Sequence, residues 1–190
     1  MALTSLTLLA RHGATRANEA GVRIGLADEP LTARGLAQAR ALAAAMRATS
    51  VGGIWTSPLA RARQTAEIVA RACGLPLYES ADLREMDYGP LEGLREDEIA
   101  RRFPEERRAW SGEPSIAPPG AEPIAAVQAR VVRAIERVRE SRAALVITHL
   151  VPLRLAHAHY GGVPIPLTPG IIRADHCVLH RLSERGLERV

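Results

Sequence analysis

The sequence contains no lysine; all 25 of its basic residues are arginines, set against 21 acidic residues for a net charge of +4. Aromatic residues make up only 3% of the chain. Single-stranded nucleic acids are held on aromatic stacking platforms, and here the arginines are spread along the chain instead of forming one basic block. No nucleic-acid partner is expected, and the positive charge reads as solvated surface plus a site for a small anion. There are two cysteines, Cys73 and Cys177, and no Cys-x-x-Cys pair. That excludes a disulfide framework or a cysteine zinc site and fits reduced thiols in a cytoplasmic protein. No run of 18 apolar residues occurs, which excludes a membrane-spanning helix and a membrane partner of that kind. Met1 to Leu9 is apolar but lacks a basic leader region and runs straight into a motif, so a signal peptide is not expected.

What is present fits one domain over residues 1–190, with 47% hydrophobic residues to build its core. Apolar runs at Leu6–Ala10, Gly53–Thr56, Leu75–Tyr78 and Ala143–Thr148, with a last one over Ile171–Leu182, read as strands. Between them the apolar residues recur at helical spacing. Leu36, Ala39, Leu42, Ala43 and Met46 form one stripe behind a capping Thr32, and Leu59, Ala62, Ala66 and Val69 form another behind Ser57-Pro58. A third runs through Ile124, Val127, Val131, Ile135 and Val138. Leu153, Leu155 and Ala156 continue as a helix after His149. One or two short helices over Glu96–Trp110 break at Pro104. Ala14–Pro30 reads as a loop, Leu83–Gly93 as irregular, and Ser111–Pro123, with four prolines and two glycines, as a mobile loop or lid. Strands alternating with helices predict an α/β fold with a mainly parallel sheet.

Three of these runs deliver cations or imidazoles to what should be one rim. The first ends at Arg11-His12. The second is followed by Arg61 in the first turn of its helix, and the fourth ends at His149. Right-handed crossovers gather the carboxyl ends of parallel strands on one side, where ligands of open α/β sheets bind. Arginines fit phosphate oxygens bidentately and keep their charge. A histidine among them is held neutral by the surrounding charge and is suited to attack phosphorus. The leaving oxygen needs a proton, so a carboxylic acid must stand nearby. Glu85, Asp87 and Glu92 are the candidates. His157-Ala-His159 has no third ligand within reach by sequence, so no metal is expected. His176 and His180 read as surface or strand residues. Arg101-Arg102 and Arg107-Arg108 read as a solvated helix face near the pocket rim.

In these segments the chain resembles the histidine phosphatase superfamily, in its phosphoglycerate-mutase-like branch of small phosphatases. Arg11-His12-Gly13-Ala14-Thr15-Arg16-Ala17-Asn18 is similar to that family's Arg-His-Gly-x-Thr-x-x-Asn signature. Pro30-Leu31-Thr32 with Gly35 and Gln38, the segment Ser57 to Ala66 around Arg61, Glu85 followed by Glu92-Gly93, and Thr148-His149 match its further motifs in order. The resemblance implies a three-layer sandwich with a mainly parallel central sheet flanked by helices. It implies His12 as phosphorylated nucleophile and Glu85 as proton donor. It also implies Arg11, Arg61 and His149 as holders of the phosphoryl oxygens, Asn18 assisting, and no metal or other cofactor. One departure stands at Leu150, where the family has glycine; the backbone N–H that would meet substrate is retained.

The partner implied is a small phosphorylated substrate such as α-ribazole phosphate, phosphoserine or a sugar phosphate, with monomer and homodimer both open. Phosphoglycerate mutases resemble the chain too, but carry a longer insertion between donor and second histidine; here 64 positions separate Glu85 from His149. A less enclosed pocket admits water and favours hydrolysis. Gly120-Ala121-Glu122 resembles a loop of both groups. A catalytically silent phosphate-binding protein is the third reading, opposed by the presence of both His12 and Glu85.

Overall fold

A computed structural model describes residues 6–112, 117–140, 143–162, 164, 174–183 and 185–190. Six strands form one sheet in the order β3-β2-β4-β1-β5-β6. They are β1 (Thr7–Arg11), β2 (Gly53–Thr56), β3 (Leu77–Glu79), β4 (Ala144–Thr148), β5 (Leu179–Ser183) and β6 (Gly186–Arg189). The first four are parallel, and β5 and β6 add an antiparallel hairpin beside β1. The helices are α1 (Arg16–Ala20), α2 (Ala33–Met46), α3 (Ala60–Cys73), α4 (Glu96–Arg102), α5 (Pro104–Gly112), α6 (Ile124–Glu140) and α7 (Leu150–Gly161). No helix among the described residues is long and apolar enough to cross a membrane.

The period-two alternation of side chains divides the core in two. Leu9 of β1 with Ala144 and Val146 of β4 face the apolar stripes of α6 and α7. Leu8, Ala10, Leu145 and Ile147 face α2 and α3 on the other side. Strands buried on both faces read as continuous apolar runs for this reason. The result is the three-layer α/β sandwich with a mainly parallel sheet. β4 enters between β1 and β2, so the chain reverses its direction of growth at the β1/β4 pair. That is where open α/β sheets leave a crevice beyond the carboxyl ends of their strands.

Thr32 caps α2 by accepting from Gly35 N–H, and α4 and α5 break at Pro104 as the sequence predicts. Three expectations change. Ala14–Pro30 is not all loop: Thr15 and Asn18 form a capping box around the short α1. Ser57 is not the cap of α3, which starts two residues later behind Leu59. The final strand is shorter and part of a hairpin: β5 begins at Leu179, and Cys177 just before it has a left-handed backbone with φ of 58°. His180 lies in β5, the strand alternative of its expectation, and is buried there. Met1–Ser5, residues 113–116 of the supposed lid and Ile171–Arg173 lie outside the described residues.

Candidate active site

The register of the sheet sets the site. Arg11 of β1 pairs with Thr148 of β4, and Thr56 of β2 with Ile147. The next residue on each strand, His12, His149 and Ser57, therefore emerges on the same rim. His12 N–H donates to Thr148 O at 3.0 Å and Ser57 N–H to Ile147 O at 3.1 Å, so the rim continues the ladder. The His12 and His149 rings stand 5.0 Å apart, centroid to centroid.

His12 is buried, and its Nδ1 lies 2.7 Å from Gly13 O. A carbonyl only accepts, so Nδ1 carries the proton and Nε2 keeps its lone pair. Burial holds the His12 pKa well below the ordinary histidine range, aided by His149, Arg11 and Arg61. His149 is shifted the same way by burial and then by Arg61 and Arg11. Its Nε2 lies 2.8 Å from Ser57 Oγ, which also accepts from Leu59 N–H at 3.3 Å just before α3. Both imidazoles are therefore neutral at ordinary pH.

Arg61 is fully buried, reaching Ala27 O at 2.9 Å and Gly25 O at 2.7 Å. Those two bonds leave three of its five donors, among them a buried Nε without a partner. Arg11 donates to Ala174 O at 3.3 Å, and its Nε is likewise buried and unpartnered, as is His149 Nδ1. Buried polar groups are nearly always paired. Three unpaired nitrogens on Arg11, Arg61 and His149 are what a site for anionic oxygens requires. Asn18 is nearby in the chain but serves α1 first: its Oδ1 accepts from Thr15 N–H at 3.2 Å.

The three carboxylates separate by their partners. Glu92 accepts from Gly25 N–H at 2.8 Å and Ala27 N–H at 3.1 Å, and so holds the same loop that Arg61 holds by its carbonyls. Asp87 accepts from Gly89 N–H at 2.8 Å within its own turn. Glu85 is buried, accepting from Met86 N–H at 2.9 Å and Leu150 N–H at 3.1 Å. Burial pushes its pKa up, against the pull of Met86, Arg61 and Arg11. The Leu150 N–H is thus held by Glu85.

Three residues escaped the sequence reading. His176, expected at the surface or in a strand, lies with its ring 5.4 Å from that of His12, and its Nδ1 is 2.7 Å from His12 O. Arg130 of α6 is buried on the apolar stripe. It grips Glu122 through Nε and Nη2 at 2.8 and 2.9 Å and donates to the carbonyls of Asp82, Arg84 and Glu85. An arginine at a core position of an amphipathic stripe was the available signal. Arg154 of α7 also has a buried, unpartnered Nε, close enough to Tyr88 and Glu85 to feel both. Arg101, Arg102, Arg107 and Arg108 are exposed, and Arg107 pairs with Glu96 at 2.7 Å. His157 Nδ1 accepts from Leu187 N–H at 3.0 Å. Among the described residues no three His, Cys, Asp or Glu side chains are grouped as metal ligands.

The family model for the histidine phosphatase superfamily (branch 1) matches residues 7–186. Phosphoserine phosphatase 1 of Hydrogenobacter thermophilus is 31% identical over 186 residues, which is 95% of this chain and 88% of that protein. A 2,3-bisphosphoglycerate-dependent phosphoglycerate mutase of Methylobacterium radiotolerans is 32% identical over 190 residues, 94% of this chain and 90% of that one. The α-ribazole phosphatase from Shigella flexneri superposes with a TM-score of 0.80 at 28% identity, covering 97% of this chain and 94% of its own. The chain also spans 42% of the length of longer mycobacterial relatives.

Proposed function

The chain belongs to branch 1 of the histidine phosphatase superfamily, and from that membership we propose a metal-independent phosphomonoesterase that hydrolyses a small phosphorylated metabolite through a phosphohistidine on His12. One observation carries the reading. The His12 proton is parked on Gly13 O at 2.7 Å, which leaves the lone pair on Nε2, and the ring stands 5.0 Å from that of His149 while Arg11, Arg61 and His149 each keep a buried nitrogen without a partner.

In this reading Arg11, Arg61 and His149 hold the phosphoryl oxygens, as preorganised donors do best in a buried site, and Asn18 assists with its amide N–H. His12 Nε2 attacks phosphorus and the phosphorus–oxygen ester bond breaks. Glu85, kept protonated by burial, gives its proton to the leaving oxygen. The resulting carboxylate then takes a proton from water, whose oxygen attacks phosphorus. The phosphorus–nitrogen bond breaks, releasing inorganic phosphate and neutral His12, with Glu85 protonated again. The raised carboxyl and the lowered imidazole suit this order of events, since burial favours in each group the uncharged form its first step needs.

A single domain over residues 1–190 is supported by the family match across 7–186. A cytoplasmic location is supported by two free cysteines. The names of the relatives support a phosphorylated small molecule of the phosphoserine, phosphoglycerate or α-ribazole phosphate kind. The mutase reading rests on the Methylobacterium relative. Hydrolysis is preferred because the segment between Glu85 and His149 is short.

The test is a turnover panel over phosphorylated metabolites, run with and without 2,3-bisphosphoglycerate, joined to rapid acid quench. Hydrolysis faster than isomerisation, inhibition by vanadate, indifference to chelators and an acid-labile phosphoenzyme are expected. His12→Ala should reduce turnover to background and abolish the phosphoenzyme. Isomerisation outpacing hydrolysis establishes the mutase, and activity restored only by a divalent metal overturns both readings.

A further inference from the structure

His12 carries its reactive ring on a backbone held unusually firmly for a residue beyond a strand end. Its own N–H is bound by Thr148 O. The peptide between His12 and Gly13 is gripped at both ends by side chains. Gly13 N–H donates to Thr65 Oγ1 of α3 at 3.0 Å, and His12 O accepts from His176 Nδ1 at 2.7 Å. Thr65 Oγ1 is itself oriented by donating to Arg61 O at 2.7 Å. The next carbonyl along, Gly13 O, sets the tautomer and the direction of the His12 ring. Rotation of that one peptide would therefore turn the ring.

The His176 side is built at some conformational cost. His176 bridges to Arg11, and Cys177 N–H donates to Arg11 O at 2.9 Å. To do so Cys177 adopts φ of 58°, a region that residues with a side chain seldom occupy. Such outliers persist where their surroundings impose them, and they cluster at functional sites. Two consecutive residues, Cys177 and His176, thus take the last carbonyl of β1, Arg11 O, by backbone and the next one, His12 O, by side chain. Because a carbonyl only accepts, His176 donates from Nδ1 as His12 does. Burial and the neighbouring Arg11 hold the His176 pKa down to about 4, so it stays neutral beside the nucleophile instead of adding charge.

We propose that His176 is a positioning residue for phosphoryl transfer, its Nδ1–H clamping the His12 carbonyl so that the His12 ring is held in line for attack. This rests on the phosphatase reading of the site. Attack needs near-contact alignment, and a displacement of about 1 Å costs up to about 100-fold. Removing the clamp frees one end of the peptide while Thr65 still holds the other, so the ring samples directions from which attack fails.

The experiment compares His176→Leu with His176→Asn, whose side-chain amide N–H sits close to the position of Nδ1. With p-nitrophenyl phosphate, His176→Leu should lower kcat by about 10- to 100-fold. KM should change by less than threefold, and rapid-quench formation of phosphoenzyme should slow by the same factor as kcat. His176→Asn should recover to within about threefold of wild type, with a Tm matched to that of the leucine variant separating alignment from stability. Imidazole ¹⁵N NMR reads the clamp without turnover: His12 should be the Nδ1–H tautomer in wild type and His176→Asn, and a mixture in His176→Leu. An unchanged kcat in His176→Leu, or equal losses in the two variants, overturns the clamp. A wild-type chain that forms no phosphoenzyme overturns the phosphatase reading, and the NMR comparison still decides the clamp.

Discussion

The two halves of the site are built by different means. His12 and His149 stand on adjacent parallel strands, and their relative position follows from backbone register: Arg11 opposite Thr148, each histidine one residue on. Glu85 stands in a segment with no regular backbone, between short 3₁₀ turns at Ala81–Leu83 and Gly89–Leu91. Where no ladder exists, side chains must do its work. Thr148 Oγ1 donates to Leu83 O at 2.7 Å, and Arg130 gathers the carbonyls of Asp82, Arg84 and Glu85 while Glu122 neutralises it. Burial pushes the Glu122 pKa up, but the bond and charge of Arg130 outweigh this and hold it below the usual range. The position of the imidazole side is thus set by a regular element, with Thr65 and His176 holding the peptide beside His12. The acid side depends on a few named side chains, each of which should be expensive to lose.

The largest effect expected after loss of the nucleophile is at the acid itself. Glu85→Gln keeps the shape but cannot give a proton, so kcat on an alkyl phosphate should fall about 10²- to 10⁴-fold. The fall should be smaller on an aryl phosphate, whose phenolate leaves unaided. Burial raises the Glu85 pKa and lowers that of His12. Wild-type activity should therefore persist below pH 6.5, where an ordinary histidine would be protonated, and decline as Glu85 ionises above the usual carboxylate range. That alkaline limb should vanish in Glu85→Gln. Equal losses on alkyl and aryl substrates would move the donor role to Asp87 or Glu92.

Arg130→Met attacks the scaffold of the acid side alone. It leaves three carbonyls without their donor and Glu122 with only the Asp87 N–H at 3.3 Å, and breaking such a largely buried pair costs up to about 3 kcal/mol, which urea unfolding would read. Adding Glu122→Gln should restore part of the stability but not the activity, because Glu85 would still lack its support. Full recovery of turnover in the double variant would show that the acid segment holds itself. The smallest effect is expected at Leu150→Gly. The Glu85 contact uses only the backbone N–H of residue 150, so turnover should stay within about threefold. The helix start should lose at most about 1 kcal/mol. A larger loss in turnover would mean that the leucine side chain shapes the pocket.

Much of this was legible from local pattern. Strand ends, the Thr32 cap, the Pro104 break and the stripes of α2, α3 and α6 all follow from residues close together in the chain. Gly35, legible in the sequence only as part of a matched motif, proves obligatory for a physical reason: a Cβ there would stand 2.1 Å from Ala14 O, because the loop after His12 packs on the first turn of α2. Ser57-Pro58 shows the converse error. Its local chemistry favours a helix cap, yet α3 starts behind Leu59 and the hydroxyl also meets His149, 92 positions away.

Hydrophobic periodicity and residue chemistry by themselves determined the α/β class, the parallel strands and the set of groups that meet at their carboxyl ends, since strand burial and anion affinity depend on residue type and order. Tertiary structure alone decided that Glu85 is the buried one of the three acids, that Arg130 gathers the carbonyls around it, that His176 reaches the His12 carbonyl, and where the Leu150 N–H points. Those outcomes depend on contacts between segments up to 164 positions apart. Nothing local in a sequence encodes which carbonyl a distant donor will reach once the sheet has closed its register.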